Sequence, residues 1–297
     1  MRKVEGKRRL AAGLLAALAL LAGAPAGAQS GGSQAAAWNR PVAPYRIAGS
    51  VHYVGVEGVA AYLITTSDGH ILIDGGLEAS APRILHSIRA LGFRPRDVKY
   101  LLVSHAHFDH AGGLAALKAA TGAQLVATAE ERPALEQGRH FGDNDNGVGR
   151  FPAVRVDHVV RDGGRLSLGG VVLTAHLTPG HTKGCTGWSL PLVEAGRAHR
   201  AFFHCSSTVA GNVLVGNKAY PGIVADYRRT FARLKRIRAD IFLANHPGFA
   251  RLAEKRARVA ARAPNPFVDP TELQRFAAAS ERDFEAELTR QQARVRP

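Results

Sequence analysis

The stretch Tyr100-Leu101-Leu102-Val103-Ser104-His105-Ala106-His107-Phe108-Asp109-His110-Ala111-Gly112-Gly113 sets a short apolar run directly before three histidines and an aspartate. The run predicts a strand over residues 98–103. The glycine pair predicts the opening of a helix carried by Leu114, Leu117 and Ala120 and closed by Gly122. Histidine and carboxylate are preferred zinc ligands, and a loop between strand and helix can turn alternate side chains toward two different points. So many titratable rings beside an apolar strand are costly without partners. The density of the cluster therefore points to metal.

Two further histidines share this setting. His181 follows the apolar residues 171–177 and the turn Thr178-Pro179-Gly180, and His246 follows residues 241–244 and precedes Pro247-Gly248. Loops that leave strand ends are where rigid scaffolds display reactive groups. Three such loops meeting at one edge supply six ligands. Two sites of three protein ligands each leave positions for water and substrate, the mark of catalytic rather than structural zinc, and fit a two-metal hydrolase.

Around these loops the chain alternates strand and helix signals. Residues 60–74 read as a hairpin turning at Ser67-Asp68-Gly69, and residues 81–91 as a helix ending at Gly92. Short strands are expected at 125–127, 188–192, 201–203 and 241–244, with a β-rich region over 154–177. Helices are expected at 129–136, 227–237 and 271–295, and an irregular loop at 138–152. This alternation indicates an α/β fold, with helices covering sheet.

The N-terminus has a different character. Arg2, Lys3, Lys7, Arg8 and Arg9 precede a Leu/Ala run over residues 10–22, and Ala26-Gly27-Ala28 follows as a small-residue cleavage pattern. This is the layout of a secretory signal peptide, with an apolar run too short to span a membrane. Residues 1–28 are thus expected to be removed, residues 29–44 to form an extended arm, and residues 45–297 to form one domain. The formal charge of +15 falls to about +11 without the signal. Such a field attracts anions. The arginines, however, cluster in helical stretches without the interleaved aromatics that a stacking platform for bases needs, so nucleic acid is not an expected partner. Cys185 and Cys205 are the two cysteines; in an oxidising compartment they form a candidate disulfide, and a reactive thiol or zinc thiolate is the competing reading. The disulfide is favoured because the metal set is complete without sulfur.

His105-x-His107-x-Asp109-His110, together with His181 and His246, resembles the signature of the metallo-β-lactamase superfamily. The resemblance extends from about Trp38 to the last helix and is greatest to the subclass B3 metallo-β-lactamases. It is carried by residues 38–64, Ser104 onward, Gly180-His181-Thr182-Lys183-Gly184-Cys185-Thr186, and Gly216-Asn217 through Tyr220-Pro221 to Asp226-Tyr227-Arg228-Arg229. The resemblance implies an αβ/βα four-layer sandwich with two Zn²⁺ between the sheet edges. It assigns His105, His107 and His181 to the first zinc, and Asp109, His110 and His246 to the second. Ser206 and Thr208 match hydroxyl positions near the substrate carboxylate of the B3 enzymes, and Cys185 and Cys205 match positions that are disulfide-bonded in some relatives. Lactonases and glyoxalase II-like thioesterases share the metal motif but usually carry a bridging aspartate after the third-ligand loop. No aspartate occurs here between His181 and Asp226, which favours the lactamase reading.

Asp74, in Ile73-Asp74-Gly75-Gly76, is expected to satisfy the outer nitrogen of a ligating histidine. The activity this implies is secreted, periplasmic hydrolysis of β-lactam antibiotics, carbapenems included, by a monomer. Metal-bound hydroxide would attack the ring carbonyl while Asp109 orients the nucleophile. A lactonase or thioesterase of the same scaffold is the main alternative. A basic protein binding nucleic acid or outer-membrane anions, and a structural zinc domain, are weaker ones.

Overall fold

Alternation in the central strands decides which of two cores each residue enters. In β3 (Tyr62–Thr66) and β4 (Gly69–Ile73), Tyr62, Ile64, Ile71 and Ile73 enter one apolar cluster while Leu63 and Leu72 enter another. In β5 (Val98–Leu102) and β6 (Gln124–Thr128), Leu102 and Val126 face the first cluster, and Leu101, Leu125 and Ala127 the second. A strand whose odd and even residues are both apolar lies between two covered layers.

The computed structural model describes residues 30–144, 149–259 and 264–295, so the expected signal segment 1–28 lies outside the described residues. With β1 (Tyr45–Ala48), β2 (Val51–Tyr53) and β7 (His158–Val160), these strands make a seven-stranded sheet in sequential order, β4 to β7 running parallel. The other sheet has the order β12-β11-β10-β9-β8, formed by β8 (Arg165–Leu168), β9 (Val171–Leu177), β10 (Thr186–Glu194), β11 (Arg197–His204) and β12 (Ile241–Ala244). Trp188, Leu190, Ala201 and Phe203 of that sheet join the first cluster, where Phe203 meets Tyr62 edge-on at 5.2 Å.

Helices α2 (Ala81–Ala90), α4 (Leu114–Thr121) and α5 (Arg132–Gln137) cover the outer face of the seven-stranded sheet with Ile84, Ile88, Leu114, Leu117 and Leu135. On the other side α6 (Ile223–Leu234) packs against α8 (Glu272–Val295) through Tyr227, Phe231, Phe284 and Leu288. Phe276 of α8 packs against Phe242 of β12, with ring centroids 4.9 Å apart and planes tilted by 36°. The architecture is the expected αβ/βα sandwich.

One local expectation is corrected. The arm at 29–44 begins with a helix, α1 (Ser30–Trp38). Its Ala35-Ala36-Ala37 run has high helix propensity, and Trp38 docks against Gly58, where an added Cβ would stand 2.2 Å from the indole. The short helix α3 (Phe108–Ala111) within the histidine cluster was not expected either, whereas α7 (Leu252–Ala257) falls in one of the arginine-rich stretches read as helical, residues 251–262.

Candidate metal centre

β4, β5, β9, β11 and β12 end at a common edge of the sandwich, which brings residues 74, 104–110, 181, 206–208 and 246 together. Residues 104–107 leave β5 extended, with His107 at φ −97° and ψ 154°. His105 and His107 therefore project to one side. At Phe108 the chain enters the single turn of α3, held by His110 N–H and Ala111 N–H donating to the His107 carbonyl at 3.0 and 2.8 Å. That turn swings Asp109 and His110 to a second point. The change from extended to helical backbone inside six residues is what divides one motif between two sites.

Each site is completed from the opposite sheet. His181 Nε2 lies 3.1 Å from both His105 Nε2 and His107 Nδ1. His246 Nε2 lies 3.3 Å from His110 Nε2, and Asp109 Oδ2 is 3.4 Å from each of these nitrogens. Ligands about 2.0–2.1 Å from a tetrahedral metal stand roughly 3.3 Å from one another. The two triads thus have the spacing of a coordination shell, and the His105 and His110 rings lie 4.5 Å apart, so the sites are neighbours. Among the described residues no carboxylate belongs to both triads.

Charge separates the two. Burial holds His105 and His107 well below the usual imidazole range, and takes His181 down to about 4. These rings are neutral at neutral pH, the form that ligates. In the second triad, burial opposes charge on His110, but Asp109 and Asp74 outweigh it and push that imidazole up. Burial likewise raises the Asp109 carboxyl, yet His110 and His246 hold it well below the ordinary carboxylate range.

The outer ring nitrogens of four of the five histidines have hydrogen-bond-distance partners, as ligating histidines require, and that of His110 faces Asp74 at 3.5 Å. His181 Nδ1 donates to the Thr208 carbonyl at 2.8 Å, and His246 Nδ1 to the Gly58 carbonyl at 2.8 Å. His105 Nδ1 meets Ser104 Oγ at 3.1 Å, and His107 Nε2 meets His140 Nδ1 at 2.9 Å. Asp74 works less directly than expected. Its carboxylate accepts from Ser104 N–H at 2.7 Å and Ser104 Oγ at 2.8 Å, and stands 3.5 Å from His110 Nδ1. Asp74 reaches this position with φ of 64°, a left-handed conformation that aspartate tolerates better than most residues.

Ser206 and Thr208 lie beside His181, their hydroxyls 3.2 Å apart, with Thr208 Oγ1 3.4 Å from His181 Nδ1. Ser206 is buried and Thr208 half-buried. Cys185 and Cys205 form a disulfide, with Cys205 Sγ 3.6 Å from His105 Nδ1; the sulfurs are therefore not thiolate ligands. The sequence places His140 in the irregular loop 138–152, a candidate flank of the substrate cleft, and assigns no role to Ser104 or Gly58. For Gly58 and Ser104 no signal exists, because a backbone carbonyl and a neighbouring hydroxyl carry no motif. His176 and His204 fall outside both triads, bonded to Ser189 and Ser207.

A family model described as the metallo-beta-lactamase superfamily matches residues 54–246. Among solved structures, BJP-1, a subclass B3 metallo-beta-lactamase of Bradyrhizobium japonicum, is 43% identical, covers 88% of this chain and 98% of its own, and superposes with a TM-score of 0.84. The native FEZ-1 metallo-beta-lactamase from Legionella gormanii is 42% identical over 85% of this chain and 98% of its own, with a TM-score of 0.81. Among curated proteins, an N-acyl homoserine lactonase of Bacillus cereus is 33% identical over 78 residues, which is 18% of this chain and 31% of that protein. A hydroxyacylglutathione hydrolase of Methylobacterium nodulans is 33% identical over 101 residues and likewise matched over 31% of its length. The chain thus spans about a third of the curated relatives it matches but nearly all of the solved ones. It belongs to the metallo-beta-lactamase superfamily, and its likeness within that superfamily is to the subclass B3 members.

Proposed function

We propose that this protein is a zinc-dependent β-lactamase of subclass B3 type, secreted to the periplasm after loss of residues 1–28 and acting there as a monomer. The observation that carries this reading is the pair of triads, whose donor atoms stand 3.1–3.4 Å apart. His105, His107 and His181 would hold one Zn²⁺, and Asp109, His110 and His246 the other. When bound, such a metal pair supplies a Lewis acid for the amide carbonyl and lowers the pKa of water. Asp109, ionised at neutral pH, accepts a hydrogen bond from the attacking water and orients it. Ser206 and Thr208 offer hydroxyls to the substrate carboxylate. Without a protein nucleophile, no acyl-enzyme forms.

A lactonase or thioesterase activity is the second reading, favoured by the short matches to the two curated hydrolases. One assay separates the two. Purified protein is offered a penicillin, a cephalosporin, a carbapenem, an acyl-homoserine lactone and a glutathione thioester, each with and without chelator. Ring opening of the β-lactams, carbapenem included, abolished by chelator and restored by zinc, is the expected result. Turnover of the lactone or thioester with the β-lactams untouched overturns the assignment, and β-lactam turnover in metal-free protein overturns the chemistry.

A further inference from the structure

Between the two loops that supply the first triad lies a carboxylate that touches no ligand. Glu131, at the end of β6 and the start of α5, is 3% exposed. Its Oε2 accepts from the Ala106 N–H at 2.7 Å and its Oε1 from the Gly184 N–H at 2.9 Å. Ala106 sits between His105 and His107, and Gly184 lies three residues after His181. One carboxylate therefore clamps the backbone of both loops, and each oxygen is used on a different one. The approach depends on Gly184, because a Cβ there would stand 2.4 Å from Thr128 Oγ1 and 2.6 Å from Glu131 Cγ. Thr128 adds a bond from its hydroxyl to the Gly184 carbonyl at 3.2 Å.

From this geometry we infer that Glu131 is a positioning residue for the first metal site: it ties the His105–His107 segment to the His181 loop and so sets the affinity of that site alone. The inference rests on the metal reading proposed above. A buried carboxylate is an expensive group, and burial pushes its pKa up against the hydrogen bonds it accepts. Two backbone N–H groups facing each other across a gap need an acceptor on both sides, which an ionised carboxylate provides and an amide does not. In Glu131→Gln, the amide NH₂ would oppose one of the two N–H donors. Glu131 makes no tie at the second triad, where Asn245 Nδ2, next to His246, instead lies 3.3 Å from His110 Nε2.

The test is a zinc titration against a competing chromophoric chelator, on wild type and Glu131→Gln, with cobalt(II) absorption to distinguish the two sites. First-site affinity is expected to fall about tenfold or more, the range for loss of an outer-sphere partner, with second-site affinity unchanged. An unchanged first site, or an equal loss at both sites, overturns the inference. If wild type takes up no divalent metal, the proposed function fails instead. Should the variant not fold, wild type alone remains informative. In metal-free protein the Ala106 and Gly184 amide protons must be protected from hydrogen exchange, and exchange at unprotected rates refutes the tie.

Discussion

The two triads lie side by side at one sheet edge, yet they are built differently. The first consists of three buried neutral imidazoles from two loops. The His181 loop is tied to the end of β11 by the Cys185–Cys205 disulfide, which packs on His105, and to the His105 loop by Thr186 N–H donating to the Ser104 carbonyl at 2.9 Å. The second contains a carboxylate, and its His246 side chain is 23% exposed. His246 is steadied from outside the motif, by the Gly58 carbonyl and by Trp38 packing 5.3 Å from its ring. A closed, braced set of neutral ligands next to an open, charged one divides the labour. The first is suited to keeping a cation, and the second to presenting one to solvent and substrate.

The comparison is broken most forcefully at the ligands themselves. His107→Ala should lose first-site metal, and Asp109→Ala second-site metal, each taking bound zinc per chain from two to one by elemental analysis. Activity should fall by more than the roughly 100-fold upper figure for an outer-sphere partner. If either variant kept two metals, its residue would not be a ligand.

A smaller effect is expected from the brace. Replacing both Cys185 and Cys205 by serine opens a loop whose ends are 20 residues apart, worth about 3 kcal/mol of stability. Denaturant unfolding should show that loss, and metal titration should show weakening confined to the first site. Equal weakening at both sites would mean the brace serves the edge as a whole.

The mildest change is Trp38→Ala. Removing the indole from His246 should lower second-site affinity by less than the roughly tenfold minimum for a hydrogen-bonded outer partner, read by the same titration. A loss as large as that of Asp109→Ala would make helix α1 an integral part of the second site.

Much of this was open to reading before any fold was known. Apolar strands ending in His105, His181 and His246 are local patterns, because alternation and strand ends are written in neighbouring residues. Helix closure at Gly122 was equally visible, since Gly122 takes φ of 76° there. The helix at Ser30–Trp38 was not, since proline and polar residues nearby suggested an extended arm while the Ala run and the dock onto Gly58 decided otherwise. Nor was the path of Asp74 through Ser104, because it depends on where a left-handed turn aims a carboxylate.

What the amino-acid order determined by itself was the identity of the six donors and the α/β class, since ligand chemistry and strand periodicity are properties of short segments. The division into two triads was already implied by the resemblance; only the tertiary structure decided that one set is braced and neutral and the other open and charged, and which residues hold them. His140 on His107, Gly58 on His246 and Glu131 across two loops are contacts between segments 25 to 188 positions apart. Such meetings exist only once the sheets have packed, and no local pattern encodes them.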